Sequence, residues 1–331
     1  MQTSIVYIQI AFFVYVFAFL VYVYSLVFPR GERVLPFATA ILPIGLLSQL
    51  YFLIARTYEY WQQYKGFVLP ATNLFEAIHF LAFLVILVYF VLELVTKIRI
   101  FGAFVLALPL VGLFYILRYL NAEAGMRELP PALKSYWLPI HVSAMFVSYA
   151  LFTVAAAIAF YYILKVKWGI GFKAIDARFS TERIDRINYL VTSIGYPFLT
   201  AGIFLGAVWA NEAWGRYWGW DPKETWAAIS WFLYTAYMHA RLALGWKGFK
   251  AMVFNFIAYD GIIITFLGVN LLSGTLGAES IHAYAAGSGS IWALILMFAL
   301  LIIPLLVAFA PGSRHLSGQT SEGEIPAKPL L

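Results

Sequence analysis

Long apolar runs separated by short polar connections make up most of this chain. Nine runs approach or exceed the roughly 20 mostly apolar residues that a membrane-spanning helix needs. They lie near residues 4–28, 35–55, 74–95, 100–117, 137–164, 188–210, 225–244, 251–272 and 291–310. The first run lacks a basic start and is too long for a signal-peptide core, so we expect it to stay as an anchor. The pattern predicts an all-α, polytopic transmembrane helical bundle of about nine spans.

Composition supports that prediction. Hydrophobic residues make up 63% of the 331 residues and charged residues only 11%, whereas soluble domains have about 25% charged residues. We therefore expect residues 1–310 to form a single integral membrane domain. Residues 311–331 are rich in Ser, Gly and Pro, which predicts a flexible cytoplasmic tail, and we expect no function for His315 within it.

Cysteine is absent, which excludes disulfides, iron–sulfur ligation and thiol catalysis by this chain. The net charge of +6 is spread over short loops, so we do not expect a nucleic-acid partner. On alternate sides of nine spans, Lys and Arg number 15 against 7. The richer side is expected to be cytoplasmic, which places the amino terminus and the loops at 211–224 and 273–290 outside.

One outward segment is unusually aromatic. It contains six of the eleven tryptophans: Trp209, Trp214, Trp218, Trp220, Trp226 and Trp231. An aromatic belt at the headgroup level is one interpretation. The other starts from the spacing of Trp214, Tyr217, Trp218 and Asp221, which matches one helical face. It predicts a short interfacial helix with a flat aromatic shelf, suited to a large planar ligand such as a porphyrin.

The polar residues of this segment also have two interpretations. Asp221 followed by Pro222 and Glu224 is the pattern of a helix cap with a capping box, which favours a mainly structural role. Arg216 and Lys223 are either solvated interfacial charges or cationic partners for haem propionates.

The sequence Trp214-Gly215-Arg216-Tyr217-Trp218-Gly219-Trp220-Asp221 resembles the WWD signature of haem-handling membrane proteins. Within that family, segments 209–226 and 73–76, together with the surroundings of the histidines, resemble the CcsA/ResC type most. The flanking matches are His141, His239 and the stretch from Asn270 to His282. The resemblance covers most of residues 73–284. Two departures are Ala283, where Ser is frequent, and extra residues between Asn270 and His282.

The resemblance implies a haem-binding subunit of the System II cytochrome c synthase, in a bacterial or thylakoid membrane. Such a subunit receives haem b in the membrane. It presents the haem on the outer face for thioether attachment to the Cys-x-x-Cys-His motif of apocytochrome c. The implied partners are a CcsB/ResB-like membrane subunit, with which the enzyme would be active, apocytochrome c and, indirectly, thiol-reducing proteins. The WWD segment would hold the haem through Trp214, Tyr217, Trp218, Trp220, Asp221, Arg216 and Lys223.

Depth distinguishes the histidines. With a rise of about 1.5 Å per residue, His141 lies about 6 Å below the outer end of its span, while His239 lies about 21 Å deep. His282 belongs to an outward loop, so His141 and His282 can share one iron and His239 cannot. In the family, the matching outer pair are the external haem ligands, and the position of His239 belongs to a second, intramembrane haem site completed by the partner.

His79 is expected to have a packing role, and Asp260 is a candidate acceptor that would orient His239. Three alternatives remain open from the sequence. They are a CcmC- or CcmF-like haem-delivery subunit, a respiratory cytochrome b-type electron-transfer subunit and a transporter without haem.

Overall fold

The computed structural model describes residues 2–28, 31–120, 128–169, 180–272, 280 and 291–311. Within these ranges the chain is helical with short connections and contains no strand. His282 and residues 312–331 of the predicted tail lie outside the described residues. The all-α prediction is therefore confirmed for the part of the chain that the structure describes.

The helices follow one another with few residues between them. They are α1 Gln2–Val27, α2 Leu35–Tyr64, α3 Leu74–Thr96, α4 Gly102–Val105, α5 Ala107–Tyr119, α6 Trp137–Trp168, α7 Thr181–Trp214, α8 Pro222–Leu242, α9 Phe249–Ile263, α10 Val269–Leu272 and α11 Ile291–Phe309. Short 3₁₀ turns occur at Gly31–Val34 and Pro131–Lys134, and a π-helical segment, Ile264–Gly268, joins α9 to α10.

Seven helical segments among the described residues are long and apolar enough to cross a membrane. They match the predicted runs except those at 225–244 and 291–310. The chain is thus a multi-pass membrane protein, but the count of nine spans is not confirmed. Helix α8 is the least hydrophobic of the long helices, because Trp, Tyr, Ser and Thr residues are frequent in it and charged residues lie near both its ends. In the last run, the described residues contain a shorter apolar stretch, Met297–Phe309.

The predicted short interfacial helix is wrong. Helix α7 continues to Trp214 and ends at Gly215, whose φ of +71° is the left-handed conformation of a helix cap. Residues 215–221 are not helical, and Trp220 also has a positive φ of +58°. Two glycines and the Asp221-Pro222 pair interrupt the chain there, so the helical spacing of the aromatic residues is not accompanied by a helical backbone.

A glycine stripe on α7 lets it approach α6, the most buried long helix. A Cβ atom at Gly195 would lie 2.8 Å from the Phe152 ring, and one at Gly202 would overlap the Met145 side chain. Since only glycine avoids these overlaps, the stripe determines how closely the two helices pack.

Consecutive long helices run in opposite directions. The two ends of the bundle therefore contain different helix termini, and those termini carry different residues. At the aromatic end, α7 finishes at Trp214 and α8 begins at Pro222. At the opposite end, Arg241 of α8 binds both carboxylate oxygens of Asp185 of α7, at 2.7 and 2.9 Å. The backbone N–H of Gly248 donates to the same carboxylate at 2.9 Å. This buried ion pair and its additional hydrogen bond, hereafter the Asp185 node, join α7, α8 and the connection to α9.

Replacing Asp185 with alanine is expected to lower the free energy of unfolding by about 3–5 kcal/mol, because the buried Arg241 would lose its counter-charge. The measurement is unfolding of the purified, detergent-solubilised protein by heat or by sodium dodecyl sulfate. Glu182→Ala provides the matched control, since Glu182 is an exposed acidic residue on the same helix. Equal losses in the two variants would contradict a structural role for the Asp185 node.

Candidate functional site

His141 lies near the start of α6, and its ring packs against α7. The contacts that Gly202, Gly206 and Trp209 make with this ring are hereafter called the His141 seat. The Nδ1 atom of His141 is 2.8 Å from the carbonyl oxygen of Gly202. A carbonyl oxygen only accepts, so in the neutral ring Nδ1 carries the proton and Nε2 has the lone pair that can coordinate a metal. Metal-binding histidines are commonly oriented by this type of contact.

Gly206 and Trp209 complete the seat. A Cβ atom at Gly206 would lie 2.7 and 2.8 Å from Cε1 and Nδ1 of His141, so the imidazole occupies space that only glycine leaves open. The buried Trp209 indole stacks on the imidazole with 5.8 Å between centroids and 12° between planes. Trp209 is itself held by a 3.0 Å hydrogen bond from its Nε1 to the Ala132 carbonyl.

A cleft, hereafter the histidine cleft, opens beside His141 between α6, α7, α8 and the π-helical segment. Its empty space, about 760 Å³, includes volume that is open to the surroundings. Apolar side chains such as Met145 and Phe266 form much of its wall. Apart from tyrosines, the ionisable side chains that line it among the described residues are His141, Lys223 and Glu224.

The tryptophan segment contributes a mouth to this cleft but not a flat shelf. Tyr217 and Trp218 line the cleft. The Trp218 and Trp220 rings meet edge to face, 5.7 Å apart and 87° between planes, and Trp220 is 73% exposed. Trp214 packs against Trp209 at 67°. The predicted single aromatic plane is therefore wrong, because the non-helical backbone turns successive rings in different directions.

Asp221 and Glu224 hold the segment in place, and the predicted capping box is confirmed. Glu224 accepts hydrogen bonds from the backbone N–H groups of Gly219 and Asp221, at 2.8 and 3.1 Å. Asp221 accepts from the backbone N–H of Lys223 at 2.9 Å and from the Ser280 hydroxyl at 2.8 Å. The two carboxylates thus fix residues 219–221, the start of α8 and Ser280 relative to one another.

The two predicted cations are placed differently. Lys223 is half-buried and lines the histidine cleft. Burial lowers the pKa of its amine to about 8, against the opposing attraction of Asp221. Arg216 is exposed, and its guanidinium lies against Gly219 rather than in the cleft. Of the two, Lys223 is the one placed to meet a bound anion.

His239 is far from the cleft, as depth predicts. It lies 17 residues after the start of α8, which corresponds to about 25 Å along the helix axis, and its side chain is exposed on the bundle surface. The suggested contact with Asp260 is wrong. A Cβ at Gly261 would lie 2.7 Å from Ser230 Oγ, so Asp260 is level with Ser230, nine residues or about 13 Å from His239.

His79 is fully buried and packs edge-on against Phe52, with ring centroids 4.6 Å apart. Neither of its ring nitrogens has a hydrogen-bond partner among the described residues. It does not line the histidine cleft.

Sequence reasoning missed several residues that form the site. Gly202 and Gly206 seat the imidazole, Trp209 stacks on it, and Glu224 was interpreted only as a cap although it also lines the cleft. The available signal was the spacing of Gly195, Gly202 and Gly206, which places small residues on one face of α7.

The protein is thus an all-helical membrane protein in which an imidazole is oriented beside a cleft with aromatic side chains at its mouth. Residues 71–277 match the family described as "Cytochrome C assembly protein". Proteins named "Cytochrome c biogenesis protein CcsA" are similar over most of the chain. The one from Heterosigma akashiwo is 35% identical over 69% of this chain and 80% of its own length.

Two cyanobacterial proteins with the same name show similar agreement. The one from Gloeobacter violaceus is 32% identical over 76% of this chain and 87% of its own length. The one from Synechococcus elongatus is 32% identical over 78% of this chain and 90% of its own length. The chain belongs to the cytochrome c assembly family and is of the CcsA type within it.

The Lys223 amine is expected to titrate near pH 8, because burial disfavours its charged form. It is then positively charged below that pH and neutral above it, whereas an ordinary lysine stays charged to about pH 10.4. The measurement is a pH titration of ¹³C-dimethylated lysines by NMR, with Lys223→Arg identifying the resonance. A midpoint at the ordinary lysine value would contradict the buried placement.

Proposed function

We propose that this protein receives haem in the membrane and presents it, at the aromatic end of the bundle, for covalent attachment to apocytochrome c. The observation that carries the proposal is the His141 seat. An imidazole is fixed through Nδ1 by a backbone carbonyl, which leaves Nε2 as the coordinating atom beside an apolar cleft.

The chemistry of the cleft fits haem b. A porphyrin needs apolar walls for its ring, a ligand for its iron and cations for its propionates. Met145 and Phe266 belong to the apolar wall, His141 supplies the imidazole, and Lys223 supplies a cation at the cleft. Tyr217 and Trp218 would cover an edge of the ring, with Trp214, Trp220, Asp221 and Arg216 supporting the segment from outside the cleft.

We further propose His282 as the second axial ligand at this external site. Ser280 precedes it by only two residues and is hydrogen-bonded to Asp221. The motif and the chain that leads to His282 therefore share one anchor, which supports a ligand pair assembled around the histidine cleft.

His239 is proposed as the ligand of a second haem within the membrane. Its exposure supports this role, since a polar imidazole on the outer surface of α8, on the same face as the exposed Phe232, is costly in lipid. A membrane subunit of the CcsB/ResB type would cover this face and provide the other axial ligand. The separation from His141 argues against a cytochrome b subunit, in which both ligands come from one chain at one depth.

The orientation follows from the basic residues. Among the described residues, the Asp185 end of the bundle carries Lys165, Lys167, Arg183, Arg186, Arg241, Lys247 and Lys250. The aromatic end has fewer basic residues, so we propose that it faces the periplasm or the thylakoid lumen.

In the reaction, each Cys thiol of the Cys-x-x-Cys-His segment adds across one vinyl group of haem. A carbon–sulfur bond forms at one vinyl carbon and the thiol hydrogen goes to the other, without net oxidation. The contribution of this chain is to hold the ring and the iron in position and to release one axial histidine to the incoming one. On this basis the protein is the haem-presenting subunit of a holocytochrome c synthase.

His141→Ala is expected to abolish maturation of a c-type cytochrome reporter when it is co-expressed with a ResB-like partner, because the external iron loses a ligand. The measurements are haem-stained reporter and the Soret band of the purified protein. Added imidazole is expected to restore part of the Soret band, since it can occupy the vacated seat. Wild-type maturation by this variant would refute the site.

Control variants separate this result from misfolding. His315→Ala changes a histidine of the tail and should mature the reporter normally. Gly206→Ala keeps His141 but displaces its ring, so it should weaken the Soret band. Gly66→Ala places a methyl group in nearly open space and should have no effect.

His239→Ala is expected to reduce the haem that co-purifies with the partner complex while leaving the histidine cleft intact, because the two sites are separated in depth. Haem supplied from the outer side should then restore reporter maturation. Phe232→Ala, on the same exposed face, serves as the control. Failure of external haem to rescue His239→Ala would contradict two separate sites.

A further inference from the structure

A second cleft, hereafter the apolar cleft, shares a wall with the histidine cleft and lies between α3, α5, α6, α9, the π-helical segment and α11. Its empty space of about 840 Å³ includes volume that is open to the surroundings, and its surface is almost entirely apolar. The hydroxyl groups of Thr153 and Tyr259 at its wall are hydrogen-bonded to each other at 2.9 Å. No side chain that lines it is charged.

The apolar cleft opens toward the membrane. Val111 lies at its edge and is 37% exposed, while Leu108 and Leu300 are half-buried. These residues belong to helices whose outer surfaces face hydrocarbon. Since the lining begins at Leu74, the first residue of α3, and extends to Val85, the cleft reaches about 16 Å from the membrane surface at the aromatic end.

Two aromatic side chains are common to both clefts. Tyr149 and Phe266 line the histidine cleft on one side and the apolar cleft on the other. Their rings are 6.2 Å apart with 61° between planes. These two side chains therefore form part of the wall that separates the clefts.

The wall between the clefts also includes the least regular backbone of the bundle. In the π-helical segment, Thr265 lines the histidine cleft, Leu267 lines the apolar cleft and Phe266 lines both. Single π-helical turns inside α-helices are local departures from regular hydrogen bonding and occur often at functional sites. The wall between the clefts therefore coincides with this departure from regular helical hydrogen bonding.

We propose that the apolar cleft is a lateral port through which haem passes between the bilayer and the histidine cleft, with Tyr149 and Phe266 as its gate. This inference rests on the proposed function. Haem is the occupant that the geometry favours, because the cleft shares a wall with the site that would bind the same ring. Its position at the membrane surface lets the propionates stay at the headgroup level while the ring slides through the apolar part.

The test compares two donors of the same ligand. Full-length protein in nanodiscs is mixed with hemin either dissolved in phosphatidylcholine vesicles or bound to serum albumin, and growth of the Soret band is followed by stopped flow. The filling variant is Gly112→Phe, since Gly112 lines the apolar cleft but not the histidine cleft. The matched control is Val91→Phe, on the exposed surface of α3 away from both clefts.

Gly112→Phe is expected to slow loading from vesicles about tenfold, with an unchanged final Soret band and an unchanged rate from albumin. Val91→Phe should behave as wild type. Leu108→Trp narrows the rim without entering the core and serves as a second variant if Gly112→Phe does not fold. It should also slow loading only from vesicles.

Three results would overturn the port. The first is wild-type loading from vesicles by both filling variants, and the second is equal slowing of loading from both donors. The third is that a filling variant loses a co-purified phospholipid while its haem loading is unchanged, which would make the cleft an acyl-chain site. His141→Ala separates the two proposals, because its Soret band should be lost with either donor. If wild type shows no Soret band with either donor, the proposed function fails and the port fails with it.

Discussion

The close approach of α6 and α7 is the constraint on which the rest of the site depends. Three glycines on α7 remove the side chains that would keep the helices apart, and the same absence of Cβ atoms leaves room for the His141 ring beside Gly206. The glycines that allow the two helices to pack closely are thus on the same helix face as the glycine that makes room for the imidazole. The same glycine stripe supplies the carbonyl that fixes the imidazole, that of Gly202.

The depths of His141 and His239 in the membrane follow from the directions of their helices. His141 lies four residues after the start of α6, near the aromatic end, whereas His239 lies near the opposite end of α8, close to Arg241. This difference was predictable from the sequence, because the rise per residue is constant. The prediction did not require any knowledge of packing, and it separates His141 from His239 by most of the membrane thickness.

Two other features could not be predicted from helical spacing and rise alone. The helical spacing from Trp214 to Asp221 was present, but Gly215 and Pro222 gave the backbone a turn, and the rings point in different directions. The Asp260 and His239 pairing failed because it assumed a register between α8 and α9 that the Ser230 contact with Gly261 does not allow. The Asp221 cap succeeded, since capping is a local property of adjacent residues.

The carboxylate of Asp221 has a consequence for the interpretation of genetics. It accepts hydrogen bonds from the first turn of α8 and from Ser280, which lies 59 positions after Asp221 in the chain. This acidic residue therefore holds two distant segments in register. Replacing it would displace both segments, so a loss of activity after that replacement would not by itself identify Asp221 as a ligand.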